Sequence, residues 1–290
     1  MPCTLCPRRC GADRAASRGV CGESLLPRVA KIMLHRWEEP CVCAGGGAGA
    51  IFFSGCPLRC VYCQNYAVSR GRVGEEYGVP RLAEAMLGLQ QQGADCLDLV
   101  TPTHFADAII EAVGLAKAGG LRLPVVWNTS GYETVETVER LRGVVDIYLT
   151  DFKYASPALA ERCSAAPDYP EAALAALKAM VAQIGPPAFE DGLLRRGVIM
   201  RHLVLPGAWR DSVDVLRLAA DAVGAKNLLV SLMAQYVPDF VEEREKFPEL
   251  CRRITTYEYN KARDECLRLG FEGYFQDRES AAKAYTPLFE

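Results

Sequence analysis

Three cysteines crowd one short segment, Ser54-Gly55-Cys56-Pro57-Leu58-Arg59-Cys60-Val61-Tyr62-Cys63. Thiolates this close can each bind one iron of a single [4Fe–4S] cube, which ordinarily takes four of them. Three protein ligands leave one iron for a ligand from outside. Ile51-Phe52-Phe53, just before the motif, reads as a short apolar strand, so the cysteines fall in the loop at a strand's C-terminal end, where α/β sites are built. A zinc ion would need a fourth ligand, such as Cys41 or Cys43, and three merely buried thiols would need no metal. Spacing and strand context favour the cluster over both.

A second group stands at the N-terminus: Cys3, Cys6 and Cys10, then Cys21-Gly22, interleaved with Pro7, Arg8, Arg9 and Gly11. Four thiolates make a complete set for zinc or for a second iron–sulfur cluster. The alternative is a reduced, unstructured tail. A loop-rich segment without a core of its own usually needs such a staple.

The wider composition agrees with metal-binding thiols. The chain has 13 cysteines, an odd number, in 290 residues. It opens Met-Pro-Cys-Thr-Leu-Cys with no apolar run after its first basic residues, so a secretory signal is not expected. No stretch approaches the apolar length of a membrane helix. These features predict a cytoplasmic protein whose cysteines bind metal, not a secreted disulfide scaffold. With a net charge of −3 and a pI near 5.8, no basic segment dominates, and neither a nucleic-acid nor a membrane partner is expected.

The elements that must position these residues alternate. Strands are predicted over 29–37, 51–53, 96–100, 124–127, 144–149, 198–205 and 228–232. Helices are predicted over 81–92, 105–117, 135–141, 157–163, 171–184, 212–223 and 257–269. In the helix over 81–92 the apolar residues Leu82, Ala85, Met86 and Leu89 recur at helical spacing, and Gly93 follows as a C-cap. About six strand–helix units imply an α/β fold with a parallel sheet. Right-handed crossovers can curl it into an open barrel, an open wound sheet being the alternative.

The C-x3-C-x2-C spacing, with an aromatic before the last cysteine, resembles the radical S-adenosylmethionine (SAM) superfamily. Over roughly 50–235 the chain resembles the activating enzymes of glycyl radical enzymes, such as pyruvate formate-lyase activase, in a branch usually described as activase-like. Asn128-Thr129-Ser130-Gly131 is similar to their D-T-N-G segment, and Asp151-Phe152-Lys153 to their D-x-K. Arg201-His202-Leu203-Val204-Leu205-Pro206-Gly207 is similar to their R-Y-V-V-V-P-G strand. The resemblance implies a partial (β/α)6 TIM-like barrel of the radical SAM type over 50–290, ending in a C-terminal helix, after a Cys-rich extension over 1–49.

It implies a [4Fe–4S] cluster on Cys56, Cys60 and Cys63, with SAM chelating the free iron. Asp151 and Lys153 would hold the amino and carboxylate groups of SAM, while Asn128, Thr129 and Arg201 shape the site. An aspartate and a lysine two residues apart at a strand end point to one side, which suits both groups. A solvated pair is the plainer alternative for them. Of Arg201 and His202, one must face away from the barrel interior. The cofactors carry the chemistry, so no side chain is assigned a catalytic role. The implied reaction is reductive cleavage of SAM and abstraction of hydrogen from a C–H bond at an oxygen-sensitive, anaerobic site. A flavodoxin or ferredoxin would be the reductant, and a glycyl radical enzyme or a peptide the substrate.

One departure stands out. Where the activases carry G-G-E, this chain reads Leu99-Val100-Thr101-Pro102-Thr103-His104-Phe105, and Thr101 and Thr103 would have to supply acceptors instead. His104 is equally read as a helix-capping residue. The departure leaves room for a small-molecule substrate, and a metal-binding scaffold or sensor is the non-enzymatic rival. Cys96, Cys163, Cys251 and Cys266 read as buried thiols, and Glu38 and Glu39 as substrate or core contacts. Gln235 and Tyr236 are expected to face the barrel mouth. The glycines over 45–49 resemble a phosphate loop in composition only, since they precede a strand and lack its Lys-Ser/Thr ending.

Overall fold

In a computed structural model, which describes residues 2–71 and 73–276, the alternating pattern becomes one ten-stranded sheet covered by helices. The elements run β1 (Arg28–His35), β2 (Ala48–Phe53), α1 (Tyr66–Gly71), β3 (Glu75–Glu76), α2 (Val79–Gln91) and β4 (Cys96–Val100). Next come α3 (Ala106–Ala118), β5 (Val125–Thr129), α4 (Val135–Arg140), β6 (Ile147–Asp151), α5 (Pro157–Ser164) and α6 (Tyr169–Ile184). The chain continues with β7 (Ala188–Glu190), β8 (Leu193–Leu203), α7 (Trp209–Val223), β9 (Leu229–Met233), α8 (Thr256–Arg268) and β10 (Glu272–Phe275).

The strand order is β10-β9-β8-β6-β5-β4-β2-β1-β3, with β7 hairpinned onto β8. From β2 to β10 every neighbouring pair along this path is parallel. Among the described residues, the antiparallel pairings are those of β1 with β2, β1 with β3 and β7 with β8. The two ends of the path do not pair with each other, so this is the expected partial barrel and not a closed one. The expected boundary at 49/50 falls inside β2, which pairs along its length with β1 of the expected extension. Residues ahead of β1 form loops, closed by a bridge between Pro2 and Asp13.

Strand alternation sorts the side chains into two cores. Leu97, Leu99, Trp127, Tyr148, Val198 and Met200 pack beneath the helices. Cys96, Val126, Ile147, Leu149, Ile199 and Leu229 fill the base of the barrel. The amphipathic α2 shows how the helices are held: Leu82, Ala83, Met86 and Leu89 are its buried face, and each large aliphatic chain contributes roughly 1.5–3 kcal/mol. The glycine-rich run closes on a carboxylate of its own chain. Asp95 Oδ2 accepts from the amides of Ala44, Gly46 and Gly47 at 2.7, 3.1 and 3.1 Å.

Candidate active site

The cysteine loop leaves β2 through Ser54 and Gly55. Gly55 has φ +80°, and a Cβ there would lie 2.6 Å from Glu23 Cγ and 2.7 Å from the Cys21 carbonyl oxygen, so no larger residue fits. His104 is fully buried in the 3-10 turn before α3, and its Nε2 meets the Ser54 carbonyl at 2.7 Å. Burial pushes its pKa down to about 3, so the ring is neutral and Nε2 carries the donating hydrogen. His104 therefore braces the cysteine loop.

Each of the three cysteine sulfurs receives a hydrogen bond. The Leu58 amide donates to Cys56 Sγ at 3.4 Å, the Ser164 hydroxyl to Cys60 Sγ at 3.1 Å, and the Ser69 hydroxyl to Cys63 Sγ at 3.6 Å. Behind Ser164 runs a chain of hydroxyls: Tyr62 and Tyr154 meet at 2.5 Å, and Tyr154 and Ser164 at 2.7 Å. Because Ser164 gives its hydrogen to sulfur, it accepts from Tyr154, which in turn accepts from Tyr62. Burial first, then the neighbouring Cys60 sulfur, holds the Cys56 and Cys63 thiols above their usual range, while Lys153 acts against this at both. A cationic centre among them would reverse that preference. Among the described residues no three His, Cys, Asp or Glu side chains already converge on a single ion. A cube spreads its thiolates over separate irons, so the donor set fits a [4Fe–4S] cluster.

Beside the thiols lies a polar layer built by the ends of β4, β5, β6 and β8. Lys153 Nζ donates to Asp151 Oδ2 at 2.5 Å, and Arg201 Nε to Asp151 Oδ1 at 3.0 Å. Burial alone would raise the Asp151 pKa, but Lys153 and Arg201 overcome it and hold the carboxyl below its usual range. Arg201 also donates to Asn128 Oδ1 at 2.7 Å, and Asn128 Nδ2 lies 3.3 Å from both Glu38 and Asp98. The structure thus brings Asn128, Asp151, Lys153 and Arg201 together. It decides between Arg201 and His202: Arg201 joins this layer, while His202 is buried with Nδ1 at 2.7 Å from the Phe152 carbonyl.

Thr101 sits at the end of β4 with φ +58°, its amide donating to the Asn128 carbonyl at 2.8 Å. Thr129 faces elsewhere. Its hydroxyl donates to Glu133 Oε1 at 2.7 Å, and Thr103 does so at 2.6 Å, which removes both from the Asn128 side of β5. Tyr236 spends its hydroxyl on the Leu250 carbonyl at 2.6 Å and is 2% exposed; its ring packs edge-on against Tyr62 at 5.9 Å, so it supports the cysteine loop and is not open to a substrate.

Sequence reasoning missed Ser164, Tyr154, Tyr169, Glu133 and Asp98. Tyr169 receives the Lys153 amide at 3.0 Å and donates to the Ser130 carbonyl at 2.8 Å, tying the Asn128–Gly131 segment to Asp151–Lys153. Asp98 alone carried a usable signal, a carboxylate inside the otherwise apolar strand Cys96–Val100.

A sequence model of the Radical SAM superfamily matches residues 50–219. The chain belongs to this superfamily. Membership implies an enzyme that uses a [4Fe–4S] cluster and SAM. The chain is 29% identical over 273 residues to the uncharacterized protein MJ0674 of Methanocaldococcus jannaschii, covering 90% of this chain and 72% of that one. A radical SAM methyltransferase from Sphaerobacter thermophilus superposes with a TM-score of 0.50 at 13% identity, over 78% of this chain and 65% of the other. The chain thus spans less than two thirds of that protein's length, and the likeness shows the shared fold. No helix among the described residues is long and apolar enough to cross a membrane.

Proposed function

We propose that Cys56, Cys60 and Cys63 hold the cluster and that the layer around Asp151 binds SAM beside it. The superfamily's chemistry is then directed at the Cα–H of a glycine in a partner protein. The observation that carries this reading is the position of Lys153. It pairs with Asp151 and acts electrostatically on all three cysteine sulfurs. A cofactor joining the cluster to that layer would meet a buried cation suited to its carboxylate and a carboxylate suited to its ammonium.

Held there, the cluster would supply the one-electron reduction of SAM, drawing its electron from a flavodoxin or ferredoxin, and with it the means of taking hydrogen from the substrate. The chain's own residues prepare this step. His104 and Gly55 fix the loop, the Tyr62–Tyr154–Ser164 chain holds the Cys60 sulfur, and Arg201 keeps Asp151 ionised. Asn128 and Thr101 complete the rim. The barrel's open edge, with the activase-like segments at Asp151–Lys153 and Arg201–Gly207, favours a loop of another protein as substrate.

The test is anaerobic. Protein reconstituted with iron and sulfide is given dithionite and SAM, and 5′-deoxyadenosine is measured by chromatography. A glycyl radical enzyme encoded nearby is then added and its radical sought by electron paramagnetic resonance. Product with a protein-borne glycyl radical supports the full reading. Product that appears only with a small molecule or free peptide overturns the choice of substrate, and no product from an iron-loaded protein under any of these conditions overturns the enzymatic reading.

A further inference from the structure

The N-terminal loops carry four cysteines, Cys3, Cys6, Cys10 and Cys21, in one short segment that the fold draws into one group. Cys3 acts on Cys10, and Cys21 acts electrostatically on Cys6 and is acted on by Cys3 and Cys10. A Cβ on Gly19 would touch Cys21 Sγ at 3.3 Å and Cys10 Sγ at 3.4 Å, so these two sulfurs flank one point. The backbone then presents donors to sulfur in a repeated way. The sulfurs of Cys6, Cys10 and Cys21 are each faced by the amide two residues on, those of Arg8, Ala12 and Glu23.

The same device serves the cysteines of the catalytic loop. Leu58 faces Cys56, and Asn65 faces Cys63, both two residues on. Cys266, buried under the helices, is by contrast perturbed by burial alone. Amide donors stabilise a thiolate and are wasted on an apolar thiol. The loops themselves have little apolar interior, since the buried side chains among residues 2–27 are Cys6, Arg14, Cys21, Glu23 and Pro27. A segment of this kind is ordinarily held by a metal or by disulfides, and all four cysteines are free.

We propose that Cys3, Cys6, Cys10 and Cys21 bind a second, four-thiolate metal centre, and that this centre clamps the loop carrying the catalytic cluster. The clamp is visible in the contacts between the two segments. The Cys56 amide donates to the Cys21 carbonyl at 3.3 Å, Arg8 Nε to the Pro57 carbonyl at 2.9 Å, and Arg59 to the Val20 carbonyl at 2.6 Å. Arg14, 5% exposed, reaches back to the carbonyls of His104 and Ser24. No three ligands among the described residues already converge on one ion. The sulfurs therefore either span an iron–sulfur cluster or close around zinc as it binds, as thiolate sites that fold with their metal do.

Metal binding at these four residues does not depend on the proposed reaction, and the experiment keeps the two apart. The full chain is made with Cys56, Cys60 and Cys63 all changed to alanine, purified anaerobically, and assayed for zinc, iron and sulfide. Retention of about one zinc, or of about four irons with sulfide, supports the centre and identifies its metal. Adding Cys6→Ser and Cys21→Ser should bring either to background. A folded triple variant holding neither metal overturns the proposal. Should that variant be insoluble, thiol alkylation of the wild-type protein is mapped by mass spectrometry before and after chelation. Protection of the four cysteines that chelation abolishes supports the centre, and labelling as fast as at Cys251 throughout overturns it. The clamp has its own readout: Cys21→Ser alone should weaken iron retention at the catalytic loop by roughly 10-fold or more, and unchanged retention would overturn that part.

Discussion

Arg201 and Asp151 face each other across β8 and β6, Nε to Oδ1 at 3.0 Å, and stand opposite one another in the strand register. Lys153 takes the other oxygen of the same carboxylate at 2.5 Å. One buried anion is thereby shared by two cations, and its removal leaves Lys153 without its carboxylate and Arg201 with Glu38 at 3.8 Å as its remaining ion pair. Asp151→Asn should cost on the order of 3 kcal/mol in denaturant unfolding. Because the Asp151 pKa is held below its usual range, the stability it supplies is present above the unfolded carboxylate range and is lost as pH falls through the folded value. Lys153→Met leaves the Arg201 pair intact and should unfold more like the wild type, yet bind SAM roughly 10–100-fold more weakly, the worth of one charge-assisted hydrogen bond. Anaerobic equilibrium dialysis measures this, and unchanged SAM affinity in Lys153→Met would remove Lys153 from the site.

Hydrogen bonds to cluster sulfurs help set the reduction potential. Ser164 is the sole side-chain donor that Cys60 receives among the described hydrogen bonds. Cys60→Ala should abolish 5′-deoxyadenosine formation while circular dichroism stays that of a folded barrel. Ser164→Ala should keep the cluster but shift its potential to a more negative value, since the sulfur becomes more electron-rich. Potentiometric titration followed by paramagnetic resonance reads the shift. A wild-type potential in Ser164→Ala would show that this contact does not tune the centre.

Asp98 is fully buried, with one oxygen near Asn128 and the other unpartnered. Burial first, and the nearby Glu38 second, push its pKa well above the usual carboxylate range. A raised carboxyl favours the fold while protonated, and that advantage disappears as pH rises through the folded pKa. Asp98→Asn cannot ionise, so it should match the wild type at about pH 4 and exceed it by about 1–3 kcal/mol at about pH 8. Thermal unfolding at the two pH values decides this. A variant that loses stability at both would mean that the Asp98 charge is needed by the fold.

The parts of the fold written in local patterns were legible before the structure was known. The strand over Cys96–Val100 and the helices beginning at Pro157 and Val135 follow directly from apolar spacing and caps, as at Ser156, whose side chain accepts from the Leu159 amide. The β7–β8 hairpin was missed although Asp191-Gly192, both at positive φ, is a hairpin turn signal. Its strand Ala188–Glu190 is short and exposed and has no apolar alternation. The strand Glu272–Phe275 fails similarly, since it is defined by pairing with β9 and not by its own sequence. At the site, the cysteine triplet and Asp151–Lys153 were readable because their spacing is local. Ser164 and Tyr169 were not, because each acts on residues brought beside it only by folding: Ser164 on Cys60, and Tyr169 on Ser130 and Lys153.

Two glycines with nearly the same backbone test the close approach at the heart of the site. Gly131 has φ +77° and Gly143 has φ +76°. A Cβ on Gly143 would meet nothing within 4 Å, whereas one on Gly131 would collide with the Asp151 carbonyl oxygen and lie 3.1 Å from the Tyr169 hydroxyl. Gly143→Ala should therefore cost only the left-handed strain, about 1 kcal/mol. Gly131→Ala carries the same strain and must also push the Asn128–Gly131 segment off the end of β6, which displaces the Tyr169 bridge and Asp151 with it. Its unfolding free energy should fall by at least about 2 kcal/mol more, and SAM binding should weaken while Gly143→Ala binds as the wild type does. Equal losses in the two variants would mean that the segment and β6 do not touch as closely as the structure has them.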